Sequence, residues 1–187
     1  MNNTPHTNCL TLRLLHAAKG YKAVAFDIFD TLLKRDCARP ADLFALMEVT
    51  HQAALGFAEA RVAAEAETRQ TLGREVTLAE IYAHPALRGA DPAAECAAEL
   101  AMIAPNRPVA QAAEACHARG QKVYAVSDMY LPKTQIEAML QKCGLDFLDG
   151  VFVSCEYGVQ KRSGKLFKLF LQQTALRPAD VLFEGDN

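Results

Sequence analysis

The residues of this sequence with the clearest chemical potential are two acids and a hydroxyl that follow a short apolar run. Residues 23–26 (AVAF) lead directly into Asp27, and Asp30 and Thr31 come shortly after. Carboxylates held among apolar neighbours are costly to desolvate unless a ligand, a metal or a charged partner compensates them. The alternative is that these side chains only stabilise turns. We favour a functional site.

Polar side chains also follow two later apolar runs. Residues 121–126 precede Ser127 and Asp128, and residues 181–183 are followed by Asp186. In an open parallel sheet the carboxyl ends of the strands meet at one edge, and ligands bind there. These residues are therefore expected to converge with Asp27 on a single site.

The elements that must position these residues alternate between strands and helices. Four apolar runs predict strands at 22–27, 121–126, 151–154 and 181–183. Helical spacing, glycine stops and proline starts predict helices at 10–19, 109–119, 133–143 and 163–173. This alternation predicts the α/β class, with a doubly wound parallel sheet and right-handed crossovers.

A different composition separates the first two strands. From residue 40 to residue 104 the chain is rich in alanine, leucine and glutamate and is punctuated by glycine and proline, which predicts four or five helices. We expect a helical domain at 39–104, and an α/β core at 1–38 and 105–187.

Composition excludes several classes of protein. The chain has 187 residues, 51% of them hydrophobic and 22% charged, and a net charge of -2, which gives no electrostatic case for binding nucleic acid or an anionic membrane. Its six cysteines are scattered without metal-ligand spacing, as in reduced intracellular proteins. The N-terminal stretch lacks the apolar core of a secretory signal, and no run approaches the roughly 18 apolar residues of a membrane span. We expect a cytoplasmic protein.

At the level of motifs the chain resembles the haloacid dehalogenase superfamily of hydrolases. Residues 27–31 (DIFDT) resemble the first motif of that superfamily, Ser127 the second, Lys161 the third and residues 183–186 (FEGD) the fourth. The amino-acid sequence around these motifs further resembles a subgroup of predicted hydrolases that occur joined to, or encoded near, glycosyltransferases of polysaccharide assembly. The resemblance therefore implies a link to a glycosyltransferase.

The resemblance implies a role for each motif residue. Asp27 would be the nucleophile and would form an aspartyl-phosphate. Phosphate oxygens would be bound by Ser127, Asp128 and Lys161. Mg²⁺ would be held by Asp27, the carbonyl of Phe29 and Asp186, since this ion prefers a few protein oxygens together with water and substrate.

Two departures from the superfamily pattern bear on the reaction. Phosphatases of the superfamily carry a second aspartate, the general acid, at the position of Phe29, and phenylalanine cannot protonate a leaving group. Asp30, one residue further on, would replace it if the turn presents it inward; otherwise it is an exposed turn residue. Dehalogenases of the superfamily also carry an aromatic here, and they need no metal. The second departure is that the further acid of the family, expected a few residues beyond Asp186, does not occur within this sequence, so we expect either a fragment or a chain that something else completes.

Three hypotheses for the function remain. The first is a Mg²⁺-dependent phosphomonoesterase that acts on a small phosphorylated metabolite with Asp27, Asp30, Ser127 and Lys161 as catalytic residues. The second is a metal-independent 2-haloacid dehalogenase, and the third is a non-catalytic domain that binds a ligand or a partner. The helical domain matches the position of the family's cap, which would close over the substrate. Within it, Arg61 either reads the substrate or forms a surface ion pair with Glu65.

Overall fold

The computed structural model describes residues 8–185 of the chain, which form a parallel sheet between layers of helices. The strands of the described residues are β1 (Ala23–Phe26), β2 (Leu33–Arg35), β3 (Ile103–Pro105), β4 (Lys122–Ser127), β5 (Gly150–Val153) and β6 (Val181–Glu184). Its α-helices are α1 (Cys9–Ala17), α2 (Asp42–Val49), α3 (Phe57–Leu72), α4 (Leu78–Tyr82), α5 (Pro92–Met102), α6 (Arg107–Ala118), α7 (Lys133–Lys142), α8 (Ser154–Tyr157) and α9 (Lys165–Thr174). Short 3₁₀ turns lie at Pro85–Leu87, Lys161–Ser163 and Pro178–Asp180.

The central sheet has the strand order β5-β4-β1-β6, and every neighbouring pair is parallel. Side chains alternate across β1, so Val24 and Phe26 face a core built with α1, α6 and α7, whereas Ala25 faces a second core built with α9. Burial on both faces explains why β1 is continuously apolar. The predicted α/β class and parallel sheet are confirmed.

A helical insert, comprising α2 to α5 and the turn at Pro85–Leu87, separates β2 from β3. These two strands pair with each other in an antiparallel ribbon, with Leu33 opposite Pro105 and Arg35 opposite Ile103. The sequence indicated only a loop before the insert, because strands of three residues carry no readable alternation of apolar and polar side chains. The division of the chain into a core and a cap stays a prediction about domains.

The interior of the helical insert corrects our expectation for Arg61. Its side chain is completely buried and forms an ion pair with Glu95 on α5, with contacts of 2.7 and 2.8 Å, as well as with Glu65 at 2.9 Å. The rings of Phe44 and Tyr130 lie 4.8 and 4.6 Å from its guanidinium carbon. Arg61 is therefore neither a surface residue nor free to bind substrate: it organises the core of the insert.

The predicted elements agree with the structure to within one or two residues at most boundaries. Ser154, which we expected at the end of β5, instead begins α8. Asp186 lies outside the described residues. Among the helices of residues 8–185, none combines the length and apolarity that crossing a bilayer requires.

Candidate active site

The centre of the candidate site is Asp27, at the carboxyl end of β1. The side chain is buried, and its Oδ1 accepts a hydrogen bond of 2.7 Å from the backbone N–H of Ile28. The backbone N–H of Asp27 donates to the carbonyl of Glu184 at 2.8 Å, which extends the pairing of β1 with β6. The position and orientation of this carboxylate are therefore set on both sides by backbone hydrogen bonds.

Ser127 and Asp128 emerge at the same edge of the sheet, from β4. Phe26 lies opposite Ala125 in the register of β1 and β4, so the residues that follow both strands become neighbours. Ser127 is buried. The convergence of β1 and β4 that the sequence predicted is present.

Lys161 joins these two strand ends. Its ammonium contacts Oδ2 of Asp27, and its backbone N–H donates to both carboxylate oxygens of Asp128 at 2.8 and 3.1 Å. The carboxylate of Asp128 thus positions Lys161. A role of Asp128 in binding phosphate stays a prediction. Burial raises the pKa of Asp128 above its ordinary value, although the N–H and the charge of Lys161 act in the opposite direction.

Phe29 lies under a buried cation. The guanidinium carbon of Arg35 lies 4.0 Å from the centre of the Phe29 ring, and the guanidinium forms an ion pair with Glu99 of α5 with contacts of 2.9 and 3.1 Å. Burial acts to lower the pKa of Arg35, but the hydrogen bond and charge of Glu99 raise it above its ordinary value. The position two residues after Asp27 therefore holds an apolar ring in a fixed environment, and this ring has no proton to donate.

The turn after β1 exposes Asp30 and buries Thr31. Asp30 has a left-handed backbone with φ of 60° and an exposed side chain, whereas the Thr31 hydroxyl is buried and has no hydrogen-bond partner among the described residues. Asn106 closes this turn through its side-chain N–H to the Thr31 carbonyl at 2.7 Å and its backbone N–H to the Leu32 carbonyl at 2.8 Å. The role of Asp30 as a general acid stays a prediction.

The predicted Mg²⁺ site is only partly within the described residues. Asp27 and the carbonyl of Phe29 would supply two of the oxygen ligands that this ion prefers. Gly185 lies beside them, because a Cβ at that position would be 3.6 Å from the Cβ of Asp27. The third ligand, Asp186, lies outside residues 8–185, and within that range no group of three His, Cys, Asp or Glu side chains is arranged to hold a metal. The described oxygens fit part of a Mg²⁺ site.

Sequence reasoning missed two residues that support this site, Arg35 beside Phe29 and Asn106 at the turn of Thr31. Each acts through a partner that is distant along the chain, so no local spacing marks it. Only Asn106, which follows the end of β3, stood where a strand-end signal could have found it.

Comparison with known proteins identifies the family. The family described as haloacid dehalogenase-like hydrolase matches residues 21–187, and the chain therefore belongs to it. No curated protein matches. A further link to the subgroup associated with glycosyltransferases stays a prediction.

Solved structures of similar fold include enzymes of two kinds. A defluorinating L-2-haloacid dehalogenase has a TM-score of 0.61 and 21% identity, over 89% of this chain and 74% of that one. The L-2-haloacid dehalogenase from Xanthobacter autotrophicus has a TM-score of 0.56 and 21% identity, over 87% and 69%. A HAD family enzyme from Bacteroides thetaiotaomicron, in complex with magnesium and inorganic phosphate, has a TM-score of 0.58 and 15% identity, over 88% and 84%. At these identities the likeness establishes the fold.

Proposed function

We propose that this hydrolase uses Asp27 to displace a leaving group that departs without being protonated, as halide departs from a 2-haloacid. The observation that carries this proposal is Phe29, whose ring lies under the Arg35 guanidinium at the position where a phosphatase needs a carboxylic acid. A halide is stable as an anion, whereas an alkoxide leaving group requires a general acid, whose contribution is about 10²–10⁴-fold. The fold shared with haloacid dehalogenases is consistent with this chemistry.

The first step would be attack by Oδ2 of Asp27 on C2 of the substrate. The Oδ2–C2 bond forms as the C2–halogen bond breaks, and the halide leaves with the bonding electron pair. Lys161 contacts Oδ2 and compensates its charge before the reaction. The Ser127 hydroxyl and the backbone N–H of Asp128 are the donors expected to hold the substrate carboxylate.

The second step would be hydrolysis of the resulting ester. Water attacks Cγ of Asp27, the bond between Cγ and Oδ2 breaks, and a 2-hydroxy acid and one proton are released. Oδ1 carries the developing negative charge, and the Ile28 N–H already donates to it at 2.7 Å. This N–H would act as an oxyanion-hole donor, a contribution of about 10²–10³-fold in other hydrolases.

A Mg²⁺-dependent phosphomonoesterase is the second candidate. It is favoured by the position of Gly185 beside Asp27, which brings the chain to the site immediately before Asp186. Mg²⁺ would be held by Asp27, the Phe29 carbonyl and Asp186, and would polarise the phosphoryl group of a small phosphorylated substrate. Asp30 would then have to supply the proton that Phe29 cannot.

The deciding experiment compares two substrates under two metal conditions. Halide release from each enantiomer of 2-chloropropionate is measured in EDTA, and phosphate release from an aryl phosphate is measured with Mg²⁺. The variants are Asp27→Asn, Asp30→Asn and, as a matched control at an exposed acid, Asp36→Asn.

The proposal expects halide release that EDTA does not affect, that Asp27→Asn abolishes, and that Asp30→Asn and Asp36→Asn leave unchanged. Turnover of the aryl phosphate that depends on Mg²⁺ and falls in Asp30→Asn would instead establish the phosphomonoesterase. If neither substrate reacts while the fold is intact, the non-catalytic hypothesis becomes the leading one. Single turnover in H₂¹⁸O adds a direct test, because the label must appear on Asp27 before it appears in the product.

A further inference from the structure

Glu75 is a buried carboxylate of the helical insert that the proposed reaction does not use. It lies between α3 and α4 with 2% of its surface exposed. Its Oε1 accepts hydrogen bonds of 3.1 and 3.0 Å from Arg69 and one of 3.1 Å from the Val76 N–H. A carboxylate that is nearly free of solvent is stable only with such partners. The structure therefore holds its second oxygen in a defined direction.

That second oxygen reaches the segment that carries Lys161. Oε2 of Glu75 accepts a hydrogen bond of 3.0 Å from the side-chain amide of Gln160, the residue immediately before Lys161. A second link lies close by, since the Leu78 N–H donates to the Tyr130 carbonyl at 2.8 Å. The insert is thus bound to the core next to the site, by contacts that exist only while the insert is in this position.

Two acids from different parts of the fold hold the short segment of Gln160 and Lys161. Asp128 binds the backbone N–H of Lys161 from the core, and Glu75 binds the side chain of Gln160 from the insert. Lys161 is also near enough to the surface, at 17% side-chain exposure, for its amine to leave Asp27 if the segment loosens. The hydrogen bonds to Asp128 and Glu75 therefore control where the ammonium of Lys161 lies.

We infer that Glu75 is a positioning residue for Lys161, acting through Gln160, so that the Asp27–Lys161 pair is complete only when the insert lies against the core. The inference rests on the proposed function, because it assigns a condition for activity to the same site. Substrate binding in the space between insert and core would then be coupled to assembly of the nucleophile and its cation.

The test measures the environment of Lys161 without requiring turnover. The protein is labelled with a trace of acetic anhydride, and the acetylation rate of Lys161 is compared by mass spectrometry with the rates of the exposed Lys165 and Lys168, which serve as internal standards. The variants are Gln160→Ala and Glu75→Ala. Matched controls are Gln172→Ala, at an exposed amide, and Glu67→Gln, at an exposed acid of the insert.

The inference expects Gln160→Ala and Glu75→Ala each to raise the relative acetylation rate of Lys161, by roughly tenfold or more, because one hydrogen bond to a charged group is lost. The double variant should give no more than either single one, since both remove the same contact. Glu75→Gln keeps its oxygen for Arg69 and Val76, and its amide N–H can donate to the side-chain oxygen of Gln160 once the Gln160 amide turns over. This variant should restore most of the wild-type rate, and both controls should match wild type. On the substrate that turns over, kcat should fall in Gln160→Ala with little change in KM.

A Lys161 acetylation rate in Gln160→Ala equal to that of wild type overturns the inference, whatever happens to activity. So does a raised rate with unchanged kcat, because Lys161 would then move without consequence. If wild type turns over neither substrate, the proposed function fails, but the acetylation rates still decide whether Glu75 and Gln160 hold Lys161.

Discussion

Replacing Arg61 with methionine should unfold the helical insert at much lower denaturant concentrations. Arg61 and Glu95 are both fully buried, so Arg61→Met leaves the Glu95 carboxylate inside the insert with only the Tyr82 hydroxyl, at 2.8 Å, as a partner. Removing one partner of a buried ion pair typically costs about 3–5 kcal/mol. For a chain of this size that loss lowers Tm by roughly 6–20 °C.

The assay is urea denaturation followed by circular dichroism, with two comparison variants. Arg39→Met removes an arginine whose side chain is 81% exposed in its pair with Asp42, and it should leave the free energy of unfolding nearly unchanged. Arg61→Met combined with Glu95→Gln removes both buried charges and should recover at least half of the loss, because no charge is left unpaired. If Arg61→Met is no more destabilising than Arg39→Met, the buried pair does not organise the insert and our reasoning is wrong.

Three further outcomes are expected. Hydrogen bonds, of which the one from Arg74 has the largest effect, lower the pKa of Glu80 from its ordinary 4.5 to about 2. Glu80→Gln should therefore lower the free energy of unfolding by about 1 kcal/mol at pH 7, where the carboxylate caps α4. The difference from wild type in urea titrations should vanish as the pH falls from 4.5 to 2, because the carboxylate becomes protonated. Burial raises the pKa of Cys155 to about 12, so iodoacetamide at pH 8 should modify the exposed Cys9 and spare Cys155, as read by peptide mass spectrometry; equal modification of the two would contradict the buried environment. Asn106→Ala should destabilise the protein by about 1–3 kcal/mol in thermal melts, because the Thr31 carbonyl loses its side-chain donor. A loss of stability below about 0.5 kcal/mol would mean that water replaces the amide as the donor.

The parts of this structure that were readable from the sequence are those encoded by near neighbours. The apolar run of β1 and the acid at its end are adjacent in the chain. From them the sequence correctly located a buried strand and the end of that strand at the edge of the sheet. Parallel pairing of β1 with β4 then placed Ser127 at the same edge of the sheet as Asp27. The position of Lys161 depended on the resemblance to the family, since no spacing rule connects it with Asp27.

The parts that could not be read depend on pairs far apart in sequence. Arg61 and Glu95 are 34 residues apart, and Glu75 and Gln160 are 85 apart. A helix pattern shows that Arg61 and Glu65 share a face, but it cannot show that another helix covers that face, so a buried residue was interpreted as a surface one or as a substrate contact. The ribbon of β2 and β3 was missed because strands of three residues carry no readable alternation.

The ribbon of β2 and β3 also makes the helical insert an exchangeable module. The chain leaves the core at Arg35 and returns at Ile103, and these two residues are directly paired across the ribbon. A two-residue hairpin turn is sufficient to connect antiparallel strands at such a point. Segments of different length and shape can therefore be joined at this place while the strands that carry Asp27 and Ser127 keep their register. If the insert selects the substrate, as we predict from its position in the chain, that selection is separable from the chemistry at Asp27.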